Sequence, residues 1–198
     1  MKACFMGLGY IGLPTAIIAA KHGIKVTGVD INPGVVELTN QGKLHIVEPG
    51  LEAYLQEVVK TGNLKASLKP EVCEAYFMVV PTPFKGNHEP DISYVEAATR
   101  SVLPLLKAGD LYVIESTSPI GTTEKMRELI YGERPELKDK IYIAYCPERV
   151  LPGNVIYELV HNDRVIGGID EESTNKAIHN LFKEPYIEQM LVQLKCVS

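Results

Sequence analysis

Short, nearly unbroken apolar runs recur along the 198-residue chain, at Ala3 to Met6, Val26 to Asp30, Ala75 to Val80, Leu111 to Glu115, Ile141 to Tyr145 and Val165 to Gly167. A strand with one wet face alternates apolar and polar positions, whereas a strand covered on both faces reads as a continuous apolar run. Apolar positions at helical spacing mark Ile11 to Lys21, Pro33 to Asn40, Leu51 to Lys60, Ser93 to Leu106, Thr122 to Tyr131 and Glu171 to Leu181. A weaker run, Leu64 to Ser67, supplies a further strand in the first half. Strands alternating with helices predict an α/β fold, a doubly wound and mostly parallel sheet with helices on both faces. No repeat, low-complexity tract or linker interrupts the pattern, so residues 1–198 are expected to form one domain.

Connections are short except at Pro81 to Asp91 and Cys146 to Asp163, which are rich in proline, glycine and asparagine. Long structured loops in a compact α/β domain are commonly functional. Ligands in such a sheet bind beyond the carboxyl ends of the strands, and four polar turns fall there. They are Gly7 to Gly12, Pro81-Thr82-Pro83, Ser116 to Thr123, and Cys146 to Asn154.

Composition narrows the classes. At 45% hydrophobic residues the chain can bury a full core, and its net charge of −5 comes with dispersed basic residues, which argues against a nucleic-acid partner. The longest apolar runs are far short of a membrane span, so no membrane partner is expected. The chain enters its first strand without a leader-like segment, which sets the expectation of a cytoplasmic protein. Cys4, Cys73, Cys146 and Cys196 are too scattered for a zinc site or a redox pair, so no metal is expected and four free thiols, mostly buried, are.

The first strand breaks into Gly7-Leu8-Gly9-Tyr10-Ile11-Gly12, and the second apolar run ends on Asp30, twenty-one positions after Gly9. This is a dinucleotide fingerprint in its strand–turn–helix–strand context, and it makes the fold Rossmann-type. Gly7 makes the tight turn, Gly9 lets backbone approach a pyrophosphate, and Gly12 lets helix and strand pack closely. The helix opening at the turn presents unpaired N–H groups to phosphate. Asp30 would accept from the adenosine ribose and repel a 2′-phosphate, so NAD is the expected cofactor rather than NADP.

The other turns admit two readings each. Pro81-Thr82-Pro83 is a stiff turn that either presents the Thr82 hydroxyl and carbonyls to a cofactor or is a rigid surface feature. In Ser116 to Thr123, Thr122 or Thr123 can cap the next helix, while Thr117 at the strand tip is suited to ordering a water or a substrate hydroxyl. Glu148 is the candidate general base, since enclosure by a ligand would push a carboxyl toward working pH. Arg149 and Arg164 suit a diphosphate or carboxylate, although either alone is more simply a surface arginine.

Taken in order, Gly7 to Pro14, Val29-Asp30-Ile31-Asn32, Glu48-Pro49-Gly50-Leu51, Val80 to Pro83, Glu115 to Thr123 and Cys146 to Gly153 resemble the UDP-glucose/GDP-mannose dehydrogenase family over nearly the whole chain. Pro147 to Gly153 looks like the branch that acts on UDP-N-acetylmannosamine, because the UDP-glucose branch usually carries a second acid where this chain has Pro152. The resemblance implies oxidation of a sugar C6 alcohol to a carboxylate with two NAD⁺, through a thioester on an active-site cysteine. It implies cofactor contacts at Gly7, Gly9, Tyr10, Ile11, Gly12, Asp30, Asn32, Pro81, Thr82, Pro83, Ser116 and Thr117. Catalytic roles fall on Glu148 and Thr117, and UDP-sugar contacts on Arg149, Val150 and Leu151.

Members of that family continue through a long central helix into a second domain that holds the nucleophile. Neither Cys196 nor Cys146 matches it. The chain is therefore expected to be inactive alone, to need a carboxy-terminal half as partner, and to form a homodimer only in a full-length form. The alternatives are a non-catalytic NAD-binding or regulatory module, or a fragment of a UDP-glucose or UDP-N-acetylglucosamine 6-dehydrogenase.

Overall fold

The computed structural model describes residues 1–151, 153–181 and 192–193. The strands are β1 (Lys2–Met6), β2 (Lys25–Val29), β3 (Leu64–Ser67), β4 (Ala75–Met78), β5 (Leu111–Ile114), β6 (Tyr142–Tyr145), β7 (Val165–Gly168) and β8 (Val192–Gln193). They form one sheet in the order β3-β2-β1-β4-β5-β6-β7-β8. Pairing is parallel from β3 through β6, β7 runs antiparallel to β6, and β8 is parallel to β7. The chain winds outward from β1 to β3 and then crosses to β4 on the other side. The carboxyl ends of β1 and β4 thus flank the crevice where such sheets take ligands.

The helices are α1 (Gly12–Lys21), α2 (Pro33–Asn40), α3 (Leu51–Lys60), α4 (Ser93–Val102), α5 (Thr122–Glu133), α6 (Val155–His161) and α7 (Glu171–Leu181). Because strand side chains alternate between faces, one strand feeds two cores. Ala3, Phe5, Ala75, Phe77, Leu111 and Val113 pack with α1, α3 and Ala177 of α7. Cys4, Met6, Tyr76, Met78, Tyr112 and Ile114 pack with Val95 and Val102 of α4 and Met126 and Ile130 of α5. The Phe5 and Phe77 rings stack at 4.5 Å across β1 and β4. Each fully buried side chain of this size contributes about 1.5–3 kcal/mol, so the switch point is also among the firmest parts of the sheet.

Three expectations need correction. Cys146 to Asp163 is not a continuous loop, since it contains α6, whose Val155 and Leu159 pack with Val150 against Ile11 and Ile18 of α1. The helix expected to run to Leu106 ends at Val102 in a 3₁₀ turn, Leu103–Leu105, where Pro104 has no N–H for an α-helical bond. The helix expected to stop at Tyr131 continues to Glu133. Cys4, Cys73 and Cys146 are buried free thiols, while Cys196 and Pro152 lie outside the described residues.

Candidate functional site

A cavity of about 680 Å³ opens at the switch point, within the size range of small-molecule sites. Of the residues singled out in the sequence, Gly7, Gly9, Tyr10, Ile11, Asp30, Pro81, Thr82, Ser116, Thr117 and Glu148 line it. Gly12, Asn32, Pro83, Arg149, Val150 and Leu151 lie outside its lining.

The glycine turn has the local geometry that its sequence requires. Gly7 has φ +103°, and a Cβ there would sit 2.5 Å from the Val79 carbonyl oxygen. A Cβ on Gly12 would sit 2.0 Å from the Gly7 carbonyl oxygen, so no larger residue fits. A Cβ on Gly9 meets nothing within 4 Å. Gly9 is therefore dispensable to packing, and its bare backbone faces open space beside the start of α1, as a pyrophosphate needs. No side chain caps α1, in contrast to α2, where Asn32 Oδ1 accepts from the Gly34 N–H at 2.9 Å.

Asp30, half-buried just past β2, has structural work that the sequence did not reveal. Its Oδ2 accepts from the Leu8 N–H at 3.0 Å and its Oδ1 from the Asn32 N–H at 2.9 Å. The carboxylate thus ties the glycine turn to β2, and it retains lone pairs for a ligand hydroxyl. Asn32 is exposed and spends its side chain on the α2 cap.

On the β4–β5 side the hydroxyls lock one turn to the next. Thr82 Oγ1 donates to the Thr117 carbonyl at 2.5 Å, and Ser116 Oγ donates to the Val80 carbonyl at 2.6 Å. Thr117 is exposed beside the cavity. Tyr94, Ala97, Ala98 and Ser101 of α4, with Ile31, Leu68, Pro70 and Glu115, also line it. Sequence reasoning missed them, because the inclination of α4 is set by packing and not by any local motif.

Glu148 is nearly buried, and its Oε1 accepts from the Arg149 N–H at 2.8 Å. It forms an ion pair with Arg164, which is half-buried and not a surface arginine. The carboxyl that burial pushes up, to about 7, is Glu115, next to Glu148 and partly offset by the Arg164 charge. Cys146 is also pushed up, to about 12, chiefly by burial, which leaves it a neutral thiol.

The loop beyond Glu148 is held from a distant point of the chain. Glu48, 5% exposed, accepts from the Gly153 N–H at 2.8 Å through Oε2 and from the Val155 N–H at 2.7 Å through Oε1. It thereby caps α6, whose own Asn154 makes no side-chain cap bond. Val150 is buried beneath α6, and Leu151 is exposed with its N–H donating to Glu158 Oε2 at 2.9 Å. Arg149 is exposed, its guanidinium donating to the Asp163 carbonyl at 2.6 Å.

Residues 1–186 match the family model described as UDP-glucose/GDP-mannose dehydrogenase family, NAD binding domain. A UDP-N-acetyl-D-mannosamine dehydrogenase of Campylobacter jejuni is 50% identical, over 99% of this chain and 49% of that protein. An NDP-N-acetyl-D-galactosaminuronic acid dehydrogenase of Ralstonia nicotianae is 48% identical, over 89% of this chain and 44% of that protein. The native structure of a UDP-N-acetyl-mannosamine dehydrogenase from Staphylococcus aureus superposes with a TM-score of 0.91 at 38% identity, over 99% of this chain and 48% of that one. The chain spans about half the length of the relatives it matches.

Proposed function

The chain belongs to the UDP-glucose/GDP-mannose dehydrogenase family, and from that premise we propose that residues 1–198 are the NAD-holding domain of an enzyme that oxidises the C6 alcohol of a UDP-N-acetylhexosamine, UDP-N-acetylmannosamine first, to the uronate. The observation that carries this reading is one cavity that joins the glycine turn and Asp30 at one end to Thr117 and Glu148 at the other. An N-acetyl sugar is favoured over glucose because the relatives named for N-acetylmannosamine and N-acetylgalactosaminuronate are both about half identical to this chain.

The residues fit NAD. Gly9 leaves space at the head of α1, Gly7 and Gly12 admit no side chain, and Ile31 and Leu68 beside Asp30 offer an apolar bed suited to a purine. When bound, NAD⁺ supplies the hydride acceptor. Asp30 would accept from ribose hydroxyls and disfavour a 2′-phosphate. Thr82 and Ser116 fix the backbone of their turns by donating to neighbouring carbonyls, which holds Thr117 in place to orient a water or a sugar hydroxyl. Glu148, as a carboxylate, takes a proton from that water or hydroxyl. Arg149, Val150 and Leu151 belong to the loop that would meet the sugar nucleotide. The nucleophilic cysteine of the proposed reaction is not among these residues, since Cys146 is buried and neutral.

The test compares the chain alone with the chain fused to the carboxy-terminal half of its C. jejuni relative. The fusion is expected to form two NADH per UDP-N-acetylmannosamine, and the chain alone none. A fusion that binds NAD⁺ yet turns over no UDP-sugar would favour a non-catalytic binding module. Steady NADH formation by the chain alone would place the nucleophile within it.

A further inference from the structure

Three ionisable side chains meet where β5, β6 and β7 come together. Glu115 directly follows β5, Glu148 lies shortly beyond β6, and Arg164 directly precedes β7, whose antiparallel run returns it to the same edge. Arg164 and Glu148 form an ion pair with side chains 12% and 4% exposed, and the Arg164 charge also acts on the Cys146 thiol. Glu115 is 2% exposed, and neither of its carboxyl oxygens has a hydrogen-bond partner among the described residues. Two ionised carboxylates against one guanidinium would leave a net negative charge on side chains largely removed from solvent, one of them with no donor among the described residues. A proton on one carboxyl removes that charge.

We propose that Glu115 holds that proton until the pH rises to neutrality and, together with Arg164, acts as a positioning residue that keeps Glu148 an ion-paired carboxylate at the cavity; the proposal rests on the reading of Glu148 as the proton acceptor of the site. The groups facing Glu115 are Glu148 and Cys146 from the β6–α6 connection and Arg164 from the start of β7. From β4 it meets backbone, the Met78 carbonyl accepting its N–H at 2.9 Å. Asp30 lines the same cavity but is held at β2 by the Leu8 and Asn32 amides. Burial raises Glu115 to about 7, Arg164 lowers it and Glu148 raises it further. This is the arrangement by which neighbouring carboxyls take separate roles. Above that pH an ionised Glu115 competes for Arg164, and Glu148 loses the undivided guanidinium that orients it.

The test is a ¹³C-detected titration of the glutamate carboxyl carbons in the 198-residue chain, between about pH 5 and 9. The Glu115 carbon is expected to titrate with a midpoint near 7, and the Arg164 side-chain nitrogens to shift with the same midpoint. In Arg164→Met the Glu115 midpoint should rise by about one unit or more, because the lowering cation is gone. Assignment in the wild-type chain keeps the test standing if a variant fails to fold. A Glu115 carbon already ionised at the acid end, or Arg164 signals that do not move through the Glu115 step, would overturn the proposal. The titration needs neither substrate nor turnover, so failure of the dehydrogenase reading is seen separately, in the fusion assay.

Discussion

The amide of Glu148 donates to the carbonyl of Glu115 at 3.3 Å, which joins two carboxylic residues back to back at the ends of neighbouring strands. Their side chains meet different surroundings. Glu148 reaches Arg164 and its own following amide, whereas the buried Glu115 carboxyl finds no donor among the described residues. One backbone hydrogen bond thus places a carboxylate and a proton-holding carboxyl side by side at the edge of the cavity.

Stability should carry the mark of Glu115. Its folded value, about 7, lies above the ordinary 4.5, so the folded state binds more protons between these values. The associated stability is full below about pH 4.5 and is lost as pH rises through about 7. At about 1.4 kcal/mol per unit the loss is on the order of 3 kcal/mol. Urea unfolding across this range should show that slope in wild type and a flatter one in Glu115→Gln. The variant should be the more stable of the two above neutrality.

Glu48→Ala should strip the acceptor from two amides, the one at Val155 buried, and uncap α6. Bonds to a charged acceptor are worth about 1.5–3 kcal/mol each, and the two share one side chain, so a loss of about 2–4 kcal/mol is expected. Limited proteolysis between Cys146 and Asp163 should accelerate, while NAD⁺ affinity, which depends on the other end of the cavity, should change little.

Asp30→Ala should do two things, because the residue holds two amides and is proposed to hold the ribose. Loss of the acceptor for the Leu8 and Asn32 amides should lower stability by about 1–3 kcal/mol. Loss of the carboxylate should narrow the preference for NAD⁺ over NADP⁺. Thermal melts read the first effect and calorimetric titration with both cofactors reads the second.

Glu148→Gln in the fused enzyme keeps the shape of the side chain and removes the base. Turnover should fall by about 10² to 10⁴ with cofactor affinity nearly unchanged, and a covalent sugar thioester should accumulate to a level visible by mass spectrometry. An unchanged rate would leave Glu148 as a loop-ordering residue.

Strands β1 to β7 were legible to within a residue or two, chiefly because both faces of the sheet are covered, which writes most of them as apolar runs, whereas the two-residue β8 was not read. The crevice was legible because the glycine turn is a local solution to a local problem. What escaped depends on contacts distant in sequence. Helix α6 is seven residues long and follows Gly153-Asn154, and its cap is Glu48, more than a hundred residues earlier. The antiparallel return of β7 carries no local signature, so Arg164 could not be paired with Glu148 from sequence. Glu115 read simply as the polar end of a strand, and its isolation emerges only when three strand ends are brought together.

Calorimetric titration of the chain and of Gly9→Ala with NAD⁺ and NADP⁺, alongside thermal melts, tests the central claim most directly. A Cβ at Gly9 has free space on the protein side, so the variant should unfold at the wild-type temperature. The account predicts that wild type binds NAD⁺ more tightly than NADP⁺ and that Gly9→Ala loses the binding while keeping the fold. Equal affinity for the two cofactors, or undiminished NAD⁺ binding by a folded Gly9→Ala, would contradict it.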